Sequence, residues 1–236
     1  MELLVVLAIV GVLSGLVVSA IKSAREAAKS AACQSNLRQL AQAAVSYADA
    51  HRGEFPWGSK SVQGYSSYCW DFVTPSGGVP EPGPIWDGCA DRRVLSCPAF
   101  LRRSDNWNGA EYTGYNYNCS FVGKVEGDPA KRQAPARMAT LKNPMRTALF
   151  GDGEFVGGAN KFMRSPKSDR ANDYSGKSLR EAGTQGFRHR GRTNVVFCDG
   201  HVESLKQPYQ SGGKPGFVDG ICGFLSPDNS LYSGEE

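Results

Sequence analysis

The chain has 236 residues, 27 of them basic and 23 acidic, for a formal net charge of +4. Apolar residues make up 40% and charged residues 21%, which excludes a disordered chain, and so small a basic surplus argues against a dedicated nucleic-acid binder. With 28 Gly and 13 Pro, the composition favours a loop-rich body over a helical bundle.

The mean hydropathy of −0.38 averages over two unlike parts. Leu3–Ile21 carries no charge. As a helix this run is about 29 Å long, enough for a bilayer core of about 30 Å. A secretory signal peptide fits it poorly, because the run is long and lacks a basic n-region and a small-x-small cleavage site. A plain membrane anchor fits better but leaves Glu2, a carboxylate at the end of the run, unexplained. Lys22, Arg25 and Lys29 follow the run, which by the positive-inside rule puts the rest of the chain in the cytoplasm unless a basic leader is removed.

The helical pattern continues. Cys33, Leu37, Leu40, Ala44 and Tyr47 are spaced 4, 3, 4 and 3 apart, one stripe of a helix. Arg52-Gly53, with Pro56 beyond, signals the stop. The expectation is one helix over residues 1–52, about 75 Å long. Residues 1–21 form its transmembrane or filament-core half and 22–52 its amphipathic half. Gly11 and Gly15 soften the first half.

Residues 53–236 read as a globular body. Tyr112–Cys119, Thr147–Gly151, Thr193–Cys198 and His201–Leu205 are the expected strands, and Asp199-Gly200 is a two-residue type I′ hairpin signal. Residues 73–88 and 157–186 read as long loops. Tyr65, Tyr68, Trp70, Trp86 and Trp107 lie in Gly/Ser/Pro-rich stretches, as loop cores or contact surfaces. The fold class is α+β: a long N-terminal helix packed on a small, mostly antiparallel sheet with long loops.

The opening MELLVVLAIVGVLSGLVV resembles the processed N-terminus of type IV pilins and type II secretion pseudopilins. Four further segments are similar to a subgroup of pilin-like proteins with a prepilin-type N-terminus. They are Cys33-Gln34-Ser35-Asn36-Leu37-Arg38-Gln39-Leu40, Leu95-Ser96-Cys97-Pro98, Ala148-Leu149-Phe150-Gly151-Asp152, and a His189-x9-Asp199-Gly200 motif. The resemblance implies that Glu2, Leu3, Leu4, Val5, Val6 and Leu7 serve assembly. Glu2 would pair with a neighbouring subunit's terminal ammonium in a helical homopolymer. It also implies N-terminal methylation, a prepilin peptidase, an assembly platform with its ATPase, and residence in the inner membrane before export to a surface filament or periplasmic pseudopilus. The expectation is a structural subunit, not an enzyme. The alternatives are a minor pseudopilin of a secretion system and a monomeric membrane-anchored binding protein or enzyme.

Candidate sites follow. If two body strands pair side by side, Asp152 and Asp199 meet at one sheet end and His189 joins them. Such a set suits a divalent cation, with calcium the one the resemblance favours. The competing reading is structural: Asp199 serves its own turn, His189 braces the hairpin, and His201 flanks it. No Gly-x-Ser-x-Gly or other catalytic signature occurs. The seven cysteines contain no Cys-x-x-Cys, which disfavours a zinc ribbon. The resemblance makes Cys33–Cys97 a candidate bridge from helix to body, with Cys69–Cys89 closing a local loop. The alternative is free buried thiols.

Overall fold

The computed structural model describes residues 2–88, 94, 96–100, 113–126, 134–155, 158, 160–166, 183–209 and 222–235. Trp107, Tyr112 and Cys89 lie outside them, as does Met1, and the Glu2 side chain is likewise outside the description.

One helix, α1, runs unbroken from Glu2 to Ala50. It ends two residues before the expected boundary because Arg52 and Gly53 both turn left-handed, with φ of 57° and 82°. The Gly53 amide then returns to the Ala48 carbonyl at 2.7 Å, closing the helix with a left-handed cap. The predicted stripe is real: Cys33, Leu37, Leu40 and Ala44 are fully buried, and Tyr47 is half-buried.

Among the described residues the body holds ten short strands. In chain order they are β1 (Tyr65–Tyr68), β2 (Phe72–Pro75), β3 (Glu81–Pro82), β4 (Tyr115–Asn118), β5 (Ala148–Asp152), β6 (Phe162–Met163), β7 (Gln185–Gly186), β8 (Thr193–Phe197), β9 (Val202–Leu205) and β10 (Cys222–Gly223). A short helix, α2 (Ser230–Ser233), follows. The principal sheet has the order β6-β4-β5-β8-β9. All its pairs are antiparallel except β4 with β6. The class is α+β, as the sequence implies. The expected loop over residues 73–88 instead carries the end of β2, all of β3 and a 3-10 turn at Pro84–Gly88. That over 157–186 carries β6 and β7, and residues 167–182 lie outside the described set. These strands are two to four residues long, too short for alternation to announce them.

Helix and body share one core. Cys33, Leu37, Leu40, Ala41 and Ala44 pack in a single cluster with Trp70, Tyr115, Tyr117, Phe150 and Val196. Trp70, which its loop-like sequence left open as a contact residue, is fully buried and stacks at a tilt on Phe150, ring centres 5.1 Å apart. Its indole N–H donates to the Lys161 carbonyl at 3.0 Å. Asn118, which begins a glycosylation-like Asn-Cys-Ser, is also fully buried, its amide donating to the Ala148 and Tyr232 carbonyls.

The hairpin at Asp199-Gly200 forms, but not by the expected turn. Only Gly200 takes a positive φ, 89°. The Gly200 amide reaches the Phe197 carbonyl at 2.9 Å, and the Phe197 amide reaches His201 at 3.0 Å. This is a three-residue connection with a glycine bulge. Asp199 instead uses its carboxylate to accept the His201 amide at 3.1 Å. The two-residue turn with two positive φ values is Arg190-Gly191, at 57° and 73°. Reciprocal bonds of 3.0 and 3.1 Å between His189 and Arg192 close it.

Above Ile21 the helix has no cover. Leu3 is 72% exposed, Leu13 55% and Val18 67%, on different faces of the helix. Two leucines of one helix therefore predict opposite outcomes. Leu37→Ala should lower the unfolding free energy of the detergent-solubilised chain by about 2–5 kcal/mol, as for other fully buried leucines. Leu13→Ala should shift it by less than about 0.5 kcal/mol. Urea titration of the two variants checks both.

Candidate functional site

Two features stand out: a buried polar junction between α1 and the sheet, and the bare apolar half of α1. The junction begins with the segment Cys33–Leu37. One helical turn places its polar side chains against three separate parts of the body. The Cys33 thiol donates to Asp152 Oδ1 at 3.1 Å. Gln34 Nε2 donates to Asn194 Oδ1 at 3.2 Å. Asn36 Nδ2 donates to the Ser96 carbonyl at 3.2 Å, next to Cys97. Leu37 fills the core between them.

Asp152 is the hub. It ends β5, and its side chain has no solvent exposure. Besides Cys33 it receives the Asn194 amide on Oδ2 at 2.7 Å and Arg188 Nη2 on Oδ1 at 3.1 Å. His189 Nε2 lies 3.3 Å from Oδ2. Arg188 also spans to Glu154 at 3.1 Å, donates to the Gly114 carbonyl, and brings Nε to 3.4 Å from Cys97 Sγ. Cys97 Sγ stands 3.6 Å from His189 Nε2. The tight turn at Arg190-Gly191 is what points His189 back into this space.

The electrostatics follow from burial and pairing. Burial opposes the charge on Asp152, but Arg188 and His189 outweigh it and hold the carboxyl below the usual carboxylate range. The neighbouring Cys33 thiol, then Arg188, bring the Cys97 thiol down to about 5 against burial. Burial pushes the Cys33 thiol well up. It also pulls His189 down, but Asp152 and Cys97 prevail and raise it to about 9.

The sequence placed several of these residues and misplaced others. Asp152 and His189 do meet, as expected. Asp199 does not join them. Because β5 and β8 are antiparallel, with Ala148 opposite Phe197 and Gly151 opposite Val195, Asp152 lies at the start of β8 and Asp199 beyond its far end. A five-residue strand separates the two by about 17 Å. Asp199 instead holds His201 Nδ1 at 2.6 Å on a half-exposed hairpin tip. His189 accordingly braces the α1 junction and not that hairpin. Cys33 and Cys97 do come together, but as thiols and not a bridge. Cys69 is likewise an unbridged thiol. Arg188, although beside the quoted histidine, gave no signal of its own. Its acceptors in the fold, Asp152, Glu154, Cys97 Sγ and the Gly114 and Gly153 carbonyls, reveal its part. A set with two sulfurs and an imidazole is not a calcium site, since that ion takes six to eight oxygens.

Comparison with known proteins adds one finding. Residues 22–75 match the family SBP_bac_10, described as "Protein of unknown function (DUF1559)". The matched stretch holds the polar half of α1, including the Cys33–Leu37 turn, and β1 and β2. No curated protein and no solved structure matches the chain.

The junction makes two predictions. Asp152→Asn removes the fully buried one of the two carboxylates that pair with Arg188, leaving only Glu154, and should cost about 3 kcal/mol of stability by urea unfolding. The pH profile follows from the thiol and the imidazole. The stabilisation from the Cys97 charge is lost as pH falls from 9.0 to about 5, and that from His189 as pH rises from 6.5 to about 9. These trends oppose each other above pH 6.5, so the stability of the reduced chain should be nearly flat there and fall between pH 6.5 and about 5. Urea titrations of the reduced chain at stepped pH, with a metal chelator present, check this, and Cys97→Ala should abolish the fall.

Proposed function

We propose that the chain is a pilin-like structural subunit, anchored in the inner membrane by Leu3–Ile21 and then packed through the same segment into a helical filament. The observation that carries this reading is the exposure of that segment on every face. An amphipathic anchor would carry one polar face, and a docked core helix would show one covered side. A helix apolar all round needs lipid or copies of itself, and among the described residues α1 is the one helix long and apolar enough to cross a membrane.

Other features support assembly over a lone anchor. Gly11 and Gly15 lie one turn apart, with open space where a Cβ would stand. Small residues at that spacing let helix backbones approach closely in an apolar medium, where burial alone gives no drive. Asymmetric contacts of this kind repeat head to tail and build open helices. A net charge of only +4 lets bodies tile without strong repulsion. Glu2, at the head of α1, sets the register by pairing with a neighbour's terminal amine, since a buried carboxylate without a partner costs several kcal/mol. The body stays outside the cytoplasm, a prepilin peptidase and an assembly platform with its ATPase handle the chain, and the chain works by packing and not by turnover. Cys97 and His189, 2% and 3% exposed, are placed for structure more than for meeting a substrate.

Electron microscopy of material sheared from expressing cells tests the proposal. Regular fibres containing this chain are expected, and Glu2→Ala should remove them while leaving the chain in the membrane fraction. Detergent-soluble monomers alone, with no effect of Glu2→Ala, would overturn the reading.

A further inference from the structure

We propose that Cys33, Cys97, Asp152 and His189 form a structural zinc site that locks α1 to the body. Their ligand atoms all lie within 4.8 Å of one another, and all four residues are buried. They come from four separate stretches: α1, the loop at residue 97, the end of β5 and the turn before β8.

Two of the spacings are those of a tetrahedron around a small ion. Zinc bonds of about 2.3 Å to sulfur and about 2.0 Å to nitrogen or oxygen put S and N about 3.5 Å apart, and N and O about 3.3 Å apart. Cys97 Sγ and His189 Nε2 are 3.6 Å apart, and His189 Nε2 and Asp152 Oδ2 are 3.3 Å apart. Two sulfurs, an imidazole and one carboxylate select zinc over magnesium or calcium. Four protein ligands leave no open position, which marks a structural and not a catalytic site.

The surroundings fit the charge. Two thiolates and a carboxylate around a dication leave one negative charge in excess. Arg188, only 10% exposed and within 3.1 Å of Asp152 and 3.4 Å of Cys97, supplies the compensating positive charge. The Asn194 amide orients Asp152 from outside, as such sites require. His189 Nδ1 is buried with no hydrogen-bond partner among the described residues, so the ring lacks the outer contact usual for a zinc-bound imidazole and is oriented from its Nε2 side alone. A metal bond at Nε2 would fix it. On binding, the Cys33 thiol and the His189 imidazolium each release a proton to solvent, and no electron is exchanged.

The test uses the full chain, purified in detergent without chelator. Elemental mass spectrometry should find about one zinc per chain, falling at least about tenfold in Cys33→Ser and Cys97→Ser and unchanged in Asp199→Asn. Exchange of the metal for Co²⁺ in the unsubstituted chain should give thiolate-to-cobalt charge-transfer absorption, a readout that does not depend on the variants folding. Three results would each overturn the proposal. One is a non-reduced mass showing Cys33 bridged to Cys97 without metal. Another is absence of the charge-transfer band in the reduced chain. The third is zinc content that is the same with and without the two cysteines.

Discussion

A single buried carboxylate holds the two parts of this protein together. Asp152 has no exposure to water, so its charge must be met from within the fold. The fold meets it from four directions: the α1 thiol, the Arg188 guanidinium, the His189 ring and the Asn194 amide. Those partners span residues 33 to 194 of the chain, and none is held there by a local element alone. The register of β5 against β8, the left-handed turn at Arg190-Gly191 and the docking angle of α1 are thus mutually constrained. Apolar packing around Leu37, Leu40 and Phe150 supplies most of the drive, while the polar junction selects one arrangement among those that packing would tolerate.

The same helix faces opposite demands along its length. Beyond residue 30, toward its C-terminal end, it is a core helix, with a stripe sealed by the sheet, including Tyr117, and by Trp70. Toward the N-terminus every face is apolar and bare. A folded body on one end keeps the chain soluble only if something covers the other. Lipid and neighbouring copies both satisfy that demand, and a filament lets the second replace the first without exposing the segment to water in between.

Much of this was legible in the sequence, for identifiable reasons. A helix of this length announces itself through an uncharged run and then a clean stripe at Cys33, Leu37, Leu40 and Ala44. The strands β5 and β8 were visible because they are buried, with an apolar stretch in each, and β9, a half-buried Val-Glu-Ser-Leu, because it follows the Asp-Gly turn. The small strands β3, β6, β7 and β10 were not, because two residues carry no period. Asp-Gly correctly marked a hairpin, yet Asp199 spends its carboxylate on His201 instead of adopting a positive φ, and that conformation falls to Arg190. The candidate site was half legible. Asp152 and His189 were named together, and Cys33 and Cys97 were named together, but nothing in the spacing said that both pairs share one place. Asp199 lies apart from them because β8 runs antiparallel to β5, and strand direction is not visible in the sequence.

In lipid and then in a filament, the apolar half of α1 must be covered on all sides. Environment-sensitive labels placed one at a time at Leu7, Leu13 and Val17, in membranes and in assembled material, measure this through access to a water-soluble quencher. The expected result is that the quencher reaches none of the three in either state. A face of the helix that water-borne quencher reaches freely would contradict it.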